Sequence, residues 1–224
     1  MMRSQPASSP RPRDRRGIFG GHLPGTASAV NATIAYAFMK RLFDLSLAMV
    51  LVPIVLVPCL VIAIVVRATS AGPALYWSQR VGRGNRHFEM AKFRTMRTGT
   101  PALATHLMTD PSAHMTPVGA FLRRSSLDEL PQLWNVFRGD MSFVGPRPAL
   151  FNQHDLIAMR SQCGVDRLRP GITGLAQISG RDELPLETKA ALDAEYLARQ
   201  SLLLDLRILF LTGWSVLRRE GISH

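Results

Sequence analysis

Uncharged residues run without interruption from Leu45 to Val66, 22 positions dominated by Leu, Val and Ile. Laid out as a helix, such a run reaches about 33 Å, enough to cross a hydrocarbon core. Pro53 and Pro58 sit near its middle. Each removes a backbone donor and crowds the preceding turn, so a kink is expected there. The flanks are alike in charge: seven Lys/Arg fall within residues 1–41, including Lys40 and Arg41, and seven more within 67–98. Basic flanks favour the cytoplasmic face. A spanning helix would carry one set across, whereas a helix that enters and leaves by the same face keeps both inside. Spanning and re-entrant readings both stay open on this ground. A cleaved signal peptide fits poorly, because the run is long, starts late and lacks a small-residue cleavage site.

The rest of the pattern is that of a small folded domain. Alternation over 74–97 predicts a β-hairpin, Ala74–Arg80 and His87–Phe93, around Gly82 and Gly84. A proline-bearing loop is expected over 99–117, then a helix near 117–124 and a second to about Phe137, ended by Gly139. Met141–Val144 reads as a short strand, Leu150–Gln162 as a helix and 168–180 as a Gly-rich loop with a short strand. Helices at 186–200 and Leu202–Arg219 close the chain; the last is apolar enough to be a core or an interfacial helix. Residues 1–36 are rich in Arg, Pro, Ser and Gly without apolar period, which predicts a disordered basic arm. The expected fold is α+β: mostly helical, membrane-associated, with a small β-hairpin and one proline-broken membrane helix. Its parts are the arm 1–36, the membrane helix and flanks 37–72, and a catalytic domain with interfacial helices 73–224.

Charge narrows the partners. The chain has a net charge of +11, from 24 arginines and three lysines among 27 basic residues. That excess suits nucleic acid, anionic lipid or phosphorylated substrates. Nucleic acid is disfavoured, because aromatics are few and not interleaved with the basic residues. Cys59 lies inside the apolar run and Cys163 far from it, so a structural disulfide is not expected. His106, Asp110 and His114 have a ligand-like spacing of four, but Pro111 breaks the helix that would align them, so no zinc site is expected.

The chemistry gathers in residues 125–148. Ser126-Leu127-Asp128-Glu129 is a capping box before an apolar run, with Pro131 in the first turn. A cap alone does not call for Gly145-Pro146-Arg147-Pro148 some twenty residues later. Adjacent carboxylates can hold Mg²⁺ or attack phosphorus, and an arginine fixed between prolines can grip a phosphate.

Three motifs stand in order: Ser126–Leu133, Arg138–Pro148 and Arg169-Pro-Gly-Ile-Thr-Gly174. With them, residues 38–224 resemble the bacterial sugar transferase family, the monotopic polyprenyl-phosphate phosphoglycosyl transferases, in its minimal form. The resemblance implies a re-entrant helix broken at a Ser-Pro pair; here the pair is Val57-Pro58 and Pro53 is additional. It implies Asp128 as both nucleophile and Mg²⁺ ligand, with Glu129 as metal partner or base. Arg147 and Arg169 would contact the nucleotide diphosphate. Lys92 and Arg94, in the matching Lys92–Met96 segment, and Arg123 and Arg124, just before the acid pair, would bind phosphate or lipid headgroups, with Arg124 counted among the phosphate ligands. The implied reaction moves a sugar-1-phosphate from a UDP-sugar to undecaprenyl phosphate, releasing UMP. Its implied place is the cytoplasmic face of the bacterial inner membrane, as the first membrane step of capsule, O-antigen or exopolysaccharide assembly. Residues 145–180 look closest to transferases of N-acetylated 6-deoxy sugars, with galactose or glucose as the alternative. A homodimer and a catalytically silent scaffold role are the remaining alternatives.

Overall fold

The computed structural model describes residues 26–100, 110, 112–180 and 184–218. Residues 1–25 of the expected arm, His106 and Pro111 lie outside them. Residues 26–36, expected as part of the arm, are instead helical, because helix α1 spans Thr26–Thr69. It runs through Pro53 and Pro58 without a break in the helical assignment. A proline inside a helix costs one hydrogen bond and bends the axis, but it need not end the helix.

The compact body spans Tyr36–His224. Its first sheet is the expected hairpin, β1 (Leu75–Val81) against β2 (His87–Phe93), antiparallel with Trp77 opposite Ala91. Gly84 takes positive φ in the turn, as does Asn85. The second sheet pairs β3 (Ser142–Val144) in parallel with β4 (Gly171–Thr173). These strands lie very close: a Cβ on Gly171 would collide with the Gly145 amide, and one on Gly145 with the Arg169 carbonyl. The glycines of the Gly145–Pro148 and Arg169–Gly174 motifs thus dock one motif on the other.

Around the sheets lie α2 (Gly119–Arg124), α3 (Leu133–Arg138), α4 (His154–Gln162), α5 (Leu175–Ile178), α6 (Leu186–Arg199) and α7 (Leu202–Arg218). Helix α4 starts four residues later than expected, since Leu150 is held in a bridge to Arg80 and its amide donates to Gln153 Oε1. One core joins Met90, Val136, Met141, Phe143, Tyr196 and Ile208, with Ala48 of α1 buried among them. A second joins Phe93 and Leu122 to Val66 at the far end of α1. Both cysteines are free.

The single helix expected through the acid pair is two pieces. Leu127–Gln132 is 3-10 and α3 begins only at Leu133. Ser126 adopts a left-handed conformation (φ 56°) and makes no side-chain cap bond, so the capping-box reading is corrected. Pro131 lacks the amide an α-helix would use in mid-turn, which favours the tighter winding here.

Candidate active site

Strand β2 carries Lys92, and Asn135 of α3 clamps that strand from beneath. The Ala91 amide donates to Asn135 Oδ1 (3.0 Å) and Asn135 Nδ2 donates to the Glu89 carbonyl (2.7 Å). Asn135 is fully buried, so both of its polar ends are satisfied by the strand next to Lys92. The 3-10 turn packs on β2 and sets Asp128 inward, 6% exposed. In a 3-10 turn neighbours point about 120° apart, so Glu129 faces differently.

Three cations converge on the acids. Lys92 Nζ lies 2.8 Å from Glu129 Oε1 and 3.8 Å from Asp128 Oδ2. Arg147 donates to Glu129 Oε1 at 3.2 Å. Arg123 of α2 is fixed by Thr95 Oγ1 (2.9 Å) and acts on Asp128 electrostatically. Burial pushes the Asp128 carboxyl above the usual range; Lys92 opposes this, Glu129 adds to it, and Arg123 and Arg147 oppose it. Burial likewise lowers the Arg123 guanidinium, and Asp128 pulls it back. A buried carboxylate ringed by fixed cations is suited to meeting a polyanion: the cations neutralise the incoming charge and leave an oxygen free to attack.

A magnesium ion fits these residues. Mg²⁺ takes one or two carboxylates and completes its shell with phosphate and water, and Asp128 beside Glu129 offers that donor set. Among the described residues no cluster of three or more His, Cys, Asp and Glu forms a cage.

A family model described as bacterial sugar transferase matches residues 35–219, most of the chain. The chain belongs to the bacterial sugar transferase family. It is 41% identical over 202 residues to a UDP-galactose-lipid carrier transferase of Erwinia amylovora, covering 82% of this chain and 41% of that protein. It is 42% identical over 199 residues to an undecaprenyl-phosphate glucose phosphotransferase of Komagataeibacter xylinus, covering 83% and 36%. An exopolysaccharide production protein, ExoY, of Sinorhizobium fredii is 38% identical over 198 residues, covering 81% and 87%. The chain thus spans about two-fifths of the length of several curated relatives and most of the length of others.

Not every expected phosphate ligand of this family member sits with the acid pair. Arg94 is buried and its guanidinium donates to the carbonyls of Ser70 (2.9 Å) and Ala71 and to Ser70 Oγ (2.8 Å). It fastens the end of α1 to β2. Arg124 is exposed at the end of α2. Arg169 donates through Nε to the Gly139 carbonyl (3.1 Å), at the C-terminal end of α3.

The sequence reading missed Arg160 and Asp193. They form a buried ion pair, Nη2 to Oδ2 at 2.6 Å, between α4 and α6, and Arg160 Nη1 also donates to the Arg147 carbonyl (2.8 Å). Pro146 and Pro148 stiffen the Arg147 backbone, and Arg160 fixes where it points. No local signal marks this pair, because its partner is 33 residues away.

Lys92→Met tests the electrostatics. Lys92 is the largest influence holding the Asp128 pKa down, so its loss lets that pKa climb further. If Asp128 is the nucleophile, the carboxylate is then protonated, and inactive, at higher pH than in the wild type. The acid limb of the pH–rate profile shifts to higher pH, and the rate at neutral pH falls by about 10²-fold. An unmoved acid limb removes Lys92 from this role.

Proposed function

We propose that this protein transfers a sugar-1-phosphate from a UDP-sugar to undecaprenyl phosphate at the cytoplasmic face of the inner membrane, through a covalent phosphosugar on Asp128. The observation that carries the reading is the buried Asp128 inside its ring of Lys92, Arg123 and Arg147. The relatives' printed activities, galactose and glucose transfer to a lipid carrier, support the reaction class.

In the first half-reaction an Asp128 carboxylate oxygen attacks the phosphorus that bears the sugar. The bond from that phosphorus to the bridging oxygen breaks and UMP leaves with the electron pair. In the second, a phosphate oxygen of undecaprenyl phosphate attacks the same phosphorus, forming the polyprenyl diphosphate sugar and freeing Asp128. Both nucleophiles are anions, so neither step needs a general base. That assigns Glu129 a positioning role: it holds Lys92 and Arg147 side by side until the diphosphate takes them over. Mg²⁺, bound through Asp128 and the diphosphate, would supply further neutralising charge.

The membrane reading rests on α1. Residues 34–69 form a helix long and apolar enough to cross a membrane, its most apolar 18-residue window having a mean hydropathy of 3.2. Yet both sides of its apolar run are buried against one body: Asp44 accepts from Ser142 Oγ (3.1 Å) and the Phe143 amide (3.2 Å), and Val66 packs with Phe93 and Leu122. Leu47, Leu51 and Val55 lie against the first core, and Cys59, Ile62 and Ala63 against the second. A helix crossing a hydrocarbon core about 30 Å thick would put its ends on opposite faces, where one domain could not hold both. This supports the re-entrant reading. Accessibility tags at the two termini are expected to react from the cytoplasm alone; reaction of the N-terminal tag from the periplasm contradicts it.

For the sugar, the relatives' names shift the balance from N-acetylated 6-deoxy sugars to galactose or glucose. The test is UMP release by detergent-solubilised protein with Mg²⁺, undecaprenyl phosphate and a panel of UDP-sugars. UDP-galactose or UDP-glucose is expected to give UMP and the acetamido sugars far less, and excess chelator to stop release. UMP from no member of the panel, or release that persists in chelator, contradicts the substrate class or the metal role respectively.

A further inference from the structure

Two arginines that the proposed chemistry leaves unused meet at the end of α3. Gly139, left-handed at φ 92°, terminates that helix. Arg41 of α1 donates to the carbonyls of Val136 (2.6 Å) and Phe137 (2.9 Å), and Arg169 donates to that of Gly139 (3.1 Å). Arg41 Nη2 comes within 3.3 Å of where a Gly139 Cβ would stand, so the two guanidiniums flank one residue. Among the described residues neither is in an ion pair with a carboxylate. The acids nearby are engaged elsewhere: Asp44 Oδ1 with Ser142 and Phe143, Asp140 with Arg138. Burial, then repulsion from Arg41 and from Arg83 on the hairpin turn, lowers the Arg169 guanidinium, with Asp44 partly offsetting them. Carbonyls use only some of the five donors each guanidinium carries. Uncompensated like charges held this close are stabilised by an anion.

The surroundings say which anion. Trp134 and Phe137 of the same helix stack at 6.4 Å with about half of each ring exposed. Arg41 stands one turn before the uncharged run of α1. A phosphate here has an apolar aromatic face and a membrane helix beside it, which suits a phosphate carrying acyl chains better than a soluble nucleotide. Neither arginine bonds to Asp128 or Glu129, and neither acid is among the charges that act on Arg169, so a phosphate between the two arginines is set apart from the acid pair. We propose that Arg41 and Arg169 form a non-catalytic binding site for the headgroup phosphate of an anionic phospholipid, which pins the body to the membrane at the end of α3. The inference needs α1 to lie in a membrane but not the transfer reaction, and its test reads binding alone.

Native mass spectrometry of the full-length protein in non-ionic detergent provides that test. Wild type is expected to retain one phosphatidylglycerol in preference to phosphatidylcholine. Affinity should fall about fivefold or more in Arg169→Gln and recover in part in Arg169→Lys. Arg83→Gln, whose side chain is exposed, should give a smaller loss, and it serves if Arg169→Gln does not fold. Equal retention by wild type and the arginine variants overturns the site. Displacement of the lipid by equimolar UMP would make it a nucleotide site, displacement by equimolar inorganic phosphate a general anion site, and retention of undecaprenyl phosphate alone an acceptor site. Each of these overturns the phospholipid assignment.

Discussion

Asp128→Asn is expected to release UMP from a UDP-sugar at least about 10³-fold more slowly than wild type, while melting close to it. Asparagine keeps the size and one oxygen of the side chain but cannot form the acyl phosphate. The stability half follows from burial. Asp128 is 6% exposed with its pKa already raised, so ionising it costs the folded state energy that the neutral amide does not. Lys92 keeps its closer partner, Glu129, at 2.8 Å. Measured together, the steady-state rate and the melting curve separate a lost nucleophile from a lost fold. Near-wild-type turnover would remove Asp128 as the nucleophile, and Glu129→Gln would then be the variant to assay.

Asp205→Ala is expected to cost about 3–5 kcal/mol of stability, the range for stranding one partner of a buried ion pair. Asp205 is fully buried in α7 and accepts from Lys40 (2.6 Å) and Tyr36 (3.2 Å) of α1 and from Tyr196 (2.6 Å) of α6. Removing it leaves an ammonium and two hydroxyls without their acceptor at the joint between α1 and the body. Burial and then Asp205 hold both phenols well above the ordinary tyrosine range. In the folded state they therefore stay protonated beyond pH 10. Their contribution is complete below about pH 10, where the unfolded phenol titrates, and is lost as pH rises further. Melting in detergent at neutral pH reads the loss, and Lys40→Met/Asp205→Leu should recover part of it by burying apolar groups instead. A loss under 1 kcal/mol would mean that α1 is not fastened to the body here, and the re-entrant reading would lose one of its supports.

Elements with a strong local period were legible in the sequence: the hairpin, the strand at Ser142–Val144, helices α6 and α7, and the uncharged run of α1. The acid pair and Arg147 were legible because chemistry concentrates unusual residues in short segments. What escaped was set by tertiary contact. The 3-10 winding around Asp128 depends on Pro131 and on packing against β2, and it defeated a capping-box pattern that is sound for an isolated helix. Lys40-Arg41 reads only as a basic flank of the apolar run, yet Lys40 reaches Asp205, 165 residues away, and Arg41 donates to the carbonyls at the end of α3. Arg94 looks like a phosphate ligand two residues from Lys92, where a continuing strand would put both on one face, but β2 ends at Phe93 and Arg94 turns to the carbonyls that close α1. Charge in a sequence says that an anion or a dipole will be met, and only the fold says which.

The covalent step on Asp128 is tested most directly without the acceptor lipid. Purified protein with Mg²⁺ and a competent UDP-sugar, but no undecaprenyl phosphate, is expected to release one equivalent of UMP in a burst and then stop. The intact mass should rise by one phosphosugar, mapped to the peptide holding Asp128, and Asp128→Asn should show neither change. Absence of UMP until undecaprenyl phosphate is added would contradict the covalent account and leave direct transfer between the two bound substrates.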